Sequence, residues 1–172
     1  MAKTMNNLFA EVRKIIVSGI VCMLFLTAVS CDASKEHYAD DEISFTRFSL
    51  SGNCHWIVPG WEDAEWWKTP DRVFIINNRE ELRRHVRCVG GGLPNIDFSR
   101  YTLLLASGTT STLGSVTTYS FEQLSANKYK LNVEVSLSGW TMLGRWTIGL
   151  ITNKLARQSK IELNVTYISH ID

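Results

Sequence analysis

Lys128-Tyr129-Lys130-Leu131-Asn132-Val133-Glu134-Val135-Ser136-Leu137 alternates polar and apolar side chains without a break. A period of two places Tyr129, Leu131, Val133, Val135 and Leu137 on one face and the polar residues on the other. That is the signature of a half-buried antiparallel strand. Downstream, Trp146, Ile148 and Leu150 start another strand, and Ile161, Leu163, Val165 and Tyr167 a last one. Upstream, residues 101–106 form a continuous apolar run, expected for a strand covered on both faces. Residues 108–114 read as a small-residue turn, and residues 116–121 as a weaker strand with Tyr119 and Phe121 on one side. Connections of about 5–12 residues suit antiparallel neighbours better than parallel crossovers.

Before these strands the pattern is less regular. Ile43 and Phe45, then Phe48 and Leu50, are apolar, a flip of phase that predicts a strand with a bulge near Arg47. Cys54-His55-Trp56-Ile57-Val58 is closed by Pro59-Gly60, a turn signal. Residues 61–70 are irregular and carry Trp61, Trp66 and Trp67 among Glu62, Asp63 and Glu65. Residues 72–76 read as a short buried strand. Asn77 or Asn78 then caps a helix reaching to about Cys88, with Leu82 and Val86 on its apolar face. Gly90-Gly91-Gly92 ends it and Pro94 blocks re-entry. Seven or eight strands with one helix predict a mainly β (α+β) fold, an antiparallel curved sheet or a small barrel or sandwich. No internal repeat is visible.

The first thirty residues read differently. Lys3, Arg13 and Lys14 precede an uncharged run, residues 15–30, whose most apolar part is residues 20–26. A membrane-spanning helix needs roughly 20 apolar residues, so this run suits an export signal instead. Ala28 and Ser30 permit cleavage before Cys31. Ala28-Val29-Ser30-Cys31 resembles a bacterial lipobox, in which Cys31 is lipidated and becomes the new N-terminus. The usual leucine is Ala28 here, so ordinary signal cleavage stays open. Removing residues 1–30 leaves 142 residues, a single β-rich domain (43–172) behind an acidic segment (31–42) too polar to order itself. That segment reads as a flexible tether. Its charges resemble a surface-display signal of the phylum that includes Bacteroides, or else a plain solvated spacer. The expected location is the bacterial cell envelope, lipid-anchored at the outer membrane or cell surface. The membrane, reached through the N-terminal lipid, is one expected partner.

Charge and cysteines narrow the classes. The chain carries 18 basic and 17 acidic residues. Without the leader the balance is near −1, so there is no electrostatic footprint for nucleic acid. Cys22 leaves with the leader. Cys54 and Cys88 are predicted to form a disulfide in an oxidising compartment. Closing that loop would stabilise the fold by roughly 3–4 kcal/mol on the loop-entropy estimate.

Several stretches taken in order bear a likeness. Cys54-x-Trp56, Ile75-Ile76-Asn77-Asn78-Arg79-Glu80-Glu81-Leu82, Cys88, Ile96-Asp97-Phe98-Ser99 and Leu103-Leu104-Leu105-Ala106-Ser107-Gly108 resemble uncharacterised lipoproteins of Bacteroides and relatives. Trp146, Asn153-Lys154-Leu155 and Ile161-Glu162-Leu163-Asn164-Val165 continue it. The Glu81-Leu82 helix start, Asp97-Phe98-Ser99 and the strands after it are also similar to the C-terminal domain of PrcB-type proteins. That domain accompanies surface proteases and is thought to be a binding module. The resemblance implies neither catalytic residues nor a cofactor.

Among the constellations, the tryptophan loop is the sharpest candidate for function. Trp61, Trp66 and Trp67, with Glu62 and Glu65, could stack on a sugar or supply rigid contact area to an envelope protein. With Trp56 they could equally cap the open end of the sheet. Cys54-His55 and His85-x-x-Cys88 hold the ligand types of a zinc site, but neighbours on a strand point to opposite faces, so a disulfide is expected and no metal. Arg79, Arg83, Arg84 and Arg87 either dock an anion or form a solvated helix face. His37 and His170 have no visible partners. There is no nucleophile elbow, phosphate loop or His-Glu-x-x-His motif. The sequence therefore predicts a non-catalytic binding or accessory module, with glycan or protein as ligand. The alternatives are an envelope glycan hydrolase using Glu62, Asp63 and Glu65, or a purely structural subunit.

Overall fold

In the computed structural model, residues 43–169 are described, apart from Gly91 and Trp140. Residues 1–42, to which the expected leader, the lipidation of Cys31, the expected tether and His37 belong, lie outside the described residues, as does His170. No described helix is long and apolar enough to cross a membrane.

The run 101–106 is the centre of the fold. It belongs to β5 (Tyr101–Thr110), which pairs antiparallel with β3 (Arg72–Ile76) on one side and β8 (Gly144–Asn153) on the other. β1 (Phe45–Phe48) adds to the far edge of β8, giving a four-stranded sheet in the order β1-β8-β5-β3. Leu104 and Ala106 face one core, Leu103 and Leu105 another, and all four are fully buried. Each buried leucine contributes about 2 kcal/mol by leaving water, which is why β5 reads as apolar throughout.

The first core lies between this sheet and a second one, made of β6 (Gly114–Ser125), β7 (Lys128–Leu137) and β9 (Lys160–Ser169) in the order β6-β7-β9. Tyr129, Leu131, Val133 and Val135 of β7 meet Trp146, Ile148 and Leu150 of β8, with Phe121 between Phe45 and Tyr129. The alternation in β7 therefore has its predicted cause. The second core lies on the other face of the four-stranded sheet. There Leu82 of α1 (Arg79–His85) joins Trp56 and Val86 of a two-stranded ribbon, β2 (Cys54–Trp56) against β4 (Val86–Cys88). The fold is a sandwich backed by a helix and a ribbon. It is mainly β with one helix among the described residues, and its sheets do not close into a barrel.

Four local expectations need correction. β7 and β9 are parallel, because the intervening β8 belongs to the other sheet. The chain goes up in one sheet, down in the other and up again, so no helical crossover is needed. No register shift occurs at Arg47. Phe45 faces the first core and Phe48 the second, so the flip of phase reflects an edge strand serving two cores. The register shifts occur in β6, between Val116 and Thr118 and between Gln123 and Ser125. β5 continues to Thr110, leaving only residues 111–113 as the turn.

The helix also ends earlier than predicted. Asn78 Oδ1 accepts from Glu81 N at 2.8 Å, and Glu81 Oε2 accepts from Asn77 N at 2.6 Å. That reciprocal cap, worth about 1 kcal/mol for the asparagine, fixes the start. At Val86 the backbone turns extended (φ −136°, ψ 130°) and enters β4. Leu82 and Val86 both reach the second core, so their spacing fits a helix followed by a strand as well as one helix.

Candidate functional site

Pro59-Gly60 leads out of the ribbon into the tryptophan loop. Gly60 has φ +92°, and a Cβ there would lie 2.9 Å from Thr69 Oγ1, so glycine is required where the loop's two ends meet. The loop's only regular structure is a 3-10 turn, Trp66–Lys68. It lies over the helix-side face of the four-stranded sheet, where alternate residues of β5 and β8 project. Thr109 Oγ1 reaches the carbonyls of Trp67 (3.0 Å) and Thr69 (3.1 Å). Arg145, opposite Thr109 in β8, donates from Nη2 to the Trp61 carbonyl at 2.7 Å.

The same guanidinium stands 5.1 Å from the Trp61 ring and 4.1 Å from the Trp66 ring. Stacking a cation between two indoles contributes about 0.5–2 kcal/mol per contact. The two rings therefore have a structural task. Trp61 is half-buried against the second core and Trp66 is half-buried on Arg145. Trp67 stands edge-on to Trp66 at 6.3 Å and is 42 % exposed. The structure thus separates residues that the sequence grouped. Trp56 is core, packed edge-on against Phe48 and touching the backbone position of Gly149. Trp61 and Trp66 are scaffold, and Trp67 is presented to solvent.

Glu62, Asp63 and Glu65 are exposed. Glu65 is held by Lys68 at 2.7 Å. Neither Glu62 nor Asp63 makes a side-chain hydrogen bond among the described residues. A polar hollow of about 570 Å³ lies on this side of the loop, lined by Gly60, Asp63, Glu65, Lys68, Thr69 and Arg72. No tryptophan lines it. The hollow's carboxylates, Asp63 and Glu65, thus serve a different surface from the indoles.

Cys54 and Cys88 are joined in a disulfide and sit directly opposite each other in the ribbon. His55 is exposed. His85 Nδ1–H donates to the Ile57 carbonyl at 3.2 Å, and its ring lies 4.5 Å from that of Phe74. Burial holds its pKa below the usual histidine value, against the raising effect of that hydrogen bond. Among the described residues, no group of three His, Cys, Asp or Glu side chains is placed to hold a metal. Arg79, Arg83, Arg84 and Arg87 are all exposed; Arg83 alone has a carboxylate partner, Glu80 at 3.4 Å, among the described residues.

A cluster that sequence reasoning missed lies beside the loop. Trp146 Nε1 donates to the Tyr167 hydroxyl at 3.1 Å, and Tyr167 donates to Asp71 Oδ1 and Oδ2 at 2.7 and 2.9 Å. This joins β9 of one sheet to the residue preceding β3 of the other. Burial raises the Asp71 pKa above its ordinary value, opposed by the Tyr167 hydrogen bond. Burial and Asp71 together raise that of Tyr167, which keeps its proton. Gly108 makes the room: a Cβ there would lie 1.9 Å from Asp71 Oδ1 and 2.6 Å from Trp146 Nε1. Nothing local in the sequence pairs residues 96 positions apart. Arg145 was missed for the same reason. Comparison of the chain with protein-family models, with curated proteins and with solved structures gives no match in any of the three.

Proposed function

We propose that the chain is an envelope lipoprotein, anchored through Cys31, whose domain is a non-catalytic binding module presenting Trp67 to a glycan or an envelope protein. The observation that carries this reading is the exposure of Trp67 on a loop that Arg145 and Thr109 hold in place. An indole held rigidly before its ligand arrives loses little entropy on contact, and aromatic anchors of this kind dominate binding surfaces. The export signal and Cys31 supply the location, and the likeness to PrcB-type C-terminal domains agrees with a binding role.

Two experiments test the reading. Trp67→Ala should melt within about 1 kcal/mol of wild type, whereas Trp61→Ala, which removes core contact and half the Arg145 stack, should cost on the order of 2 kcal/mol. On a glycan array, and in cross-linking of the cell envelope, Trp67→Ala should lose the contacts wild type makes. Unchanged binding by Trp67→Ala would remove the site. Glycan turnover abolished by Glu62→Gln or Glu65→Gln would replace the module with a hydrolase. For the anchor, wild type should partition into detergent and Cys31→Ala into water. If wild type also stays in water, Cys31 carries no lipid.

A further inference from the structure

The ends of the two sheets coincide. At one end, here the base, β1, β5, β7 and β9 begin and β8 finishes. Lys154 N donates to the Arg100 carbonyl and Lys160 N to the Asn127 carbonyl there, both at 2.8 Å. At the other end, here the tip, Ser138 N donates to the Leu113 carbonyl at 2.8 Å, and the tryptophan loop folds over. Ten residues of β8 separate base from tip, roughly 30 Å of strand.

Cations outnumber carboxylates at the base. Arg79, Arg100, Lys128, Lys154, Arg157 and Lys160 are exposed at the base, and none has an ion-pair partner among the described residues. Carboxylates share this end: Glu81 is held by Asn77 N, Asp97 by the amide and hydroxyl of Ser99 and Glu80 by Arg83, and Glu122 and Glu162 lie one step inward from Lys128 and Lys160, flanking Lys130. Lys128 and Lys160 are lateral neighbours on adjacent parallel strands, an arrangement that like charges disfavour and that an external anion would relieve. A hollow of about 460 Å³ at the same end is lined by Asn77, Asn78, Glu81, Lys154 and Arg157. The tip carries Glu62, Asp63, Glu65 and Asp71 together with Lys68, Arg72 and Arg145, and the exposed apolar Trp67, Leu113, Met142 and Leu143.

The chain also enters at the base. Phe45 pairs with Thr152, the penultimate residue of β8, so the described chain begins at this end. We infer that the base docks on an anionic lipid surface, its cations meeting headgroup phosphates and its tip held away from the bilayer. A sheet of headgroups is the occupant that fits. The cations are spread across the ends of both sheets instead of converging on one pocket, and a planar array of phosphates meets them all together. Docking of this kind does not require that Cys31 be acylated.

The chain from Tyr38 onward forms one compact unit by itself, so the protein from residue 32 onward can be tested without leader or lipid. Its binding to phosphatidylcholine vesicles should be weak and should strengthen with about 30 mol % phosphatidylglycerol, then fall between about 0.1 and 0.5 M NaCl as screening shortens. Each cation near an anionic surface contributes a factor of about five, so Lys128→Gln/Arg157→Gln/Lys160→Gln should bind on the order of 100-fold more weakly. These side chains make no hydrogen bond or ion pair among the described residues, so the melting temperature should not move. Arg72→Gln, at the tip, should bind as wild type does. Equal binding to neutral and anionic vesicles would point to the apolar tip and overturn the assignment. So would a triple variant that binds as wild type does, or capture of soluble polyphosphate without capture of anionic vesicles.

Discussion

Trp146→Ala should lower the stability of the domain by about 3–5 kcal/mol, the range for truncating a buried aromatic side chain. The indole is 3 % exposed and packs in the first core with Ile148, Leu150 and Val135. Its loss has a polar consequence as well. Trp146 Nε1 donates to Tyr167, which donates in turn to Asp71, so truncation opens the link between β9 and β3. Gly108→Ala should reach the same link from the other side. Its Cβ would occupy the position of the Asp71 carboxylate, at a cost of about 1–3 kcal/mol for overpacking. Chemical denaturation of the three proteins ranks them; a Trp146→Ala cost below about 1 kcal/mol would mean that the sheets do not depend on this contact.

The same cluster has a signature in pH. The folded state raises the Asp71 pKa through burial, so it holds a proton that the unfolded chain has already lost. The contribution is fully present below the ordinary carboxylate value near 3.8 and declines as pH rises through the folded value. Asp71→Asn cannot titrate and should flatten that limb of the stability profile, while its amide oxygen can still accept from Tyr167.

What the sequence disclosed, and what it concealed, follows from the range of each signal. β7 was legible because one face meets a core and the other meets water, so alternation is written into ten consecutive residues. β5 was legible because both of its faces are covered. Arg47 misled because a bulge and an edge strand serving two cores leave the same flip of phase. β4 was hidden because Leu82 and Val86 occupy helical spacing whether or not the helix continues. At the candidate site the tryptophans were visible as a group, but their division of labour was not. Whether an indole is scaffold or surface depends on Arg145, which lies 84 residues from Trp61. Likewise, the excess of cations at the base is a property of strand order. Arg79, Arg100, Lys128 and Arg157 are scattered in a nearly neutral sequence, and only the alignment of the two sheets brings them to one end.

Loss of the Cys54–Cys88 disulfide should cost about 3–4 kcal/mol and lower the melting temperature by roughly 10–15 °C for a domain of this size. The ribbon it staples has three residues in each strand, and a two-stranded ribbon of that length is marginal in water. Yet Trp56 and Val86 of that ribbon, with Leu82 of α1, cover the helix-side face of β5. The chain between the two cysteines, 34 residues apart in sequence, contains the tryptophan loop, β3 and α1, so the bond limits how far all three can stray when the domain unfolds. Cys54→Ser/Cys88→Ser removes that restraint while Trp56, Leu82 and Val86 keep their places in the second core. Reductant should therefore bring the melt of wild type down to that of the double variant and leave the double variant where it is. Wild type that melts at the same temperature with and without reductant, its thiols confirmed free by labelling, would show that packing of Trp56, Leu82 and Val86 holds the ribbon unaided. A double variant that falls further on reduction would place the sensitive bond elsewhere in the chain.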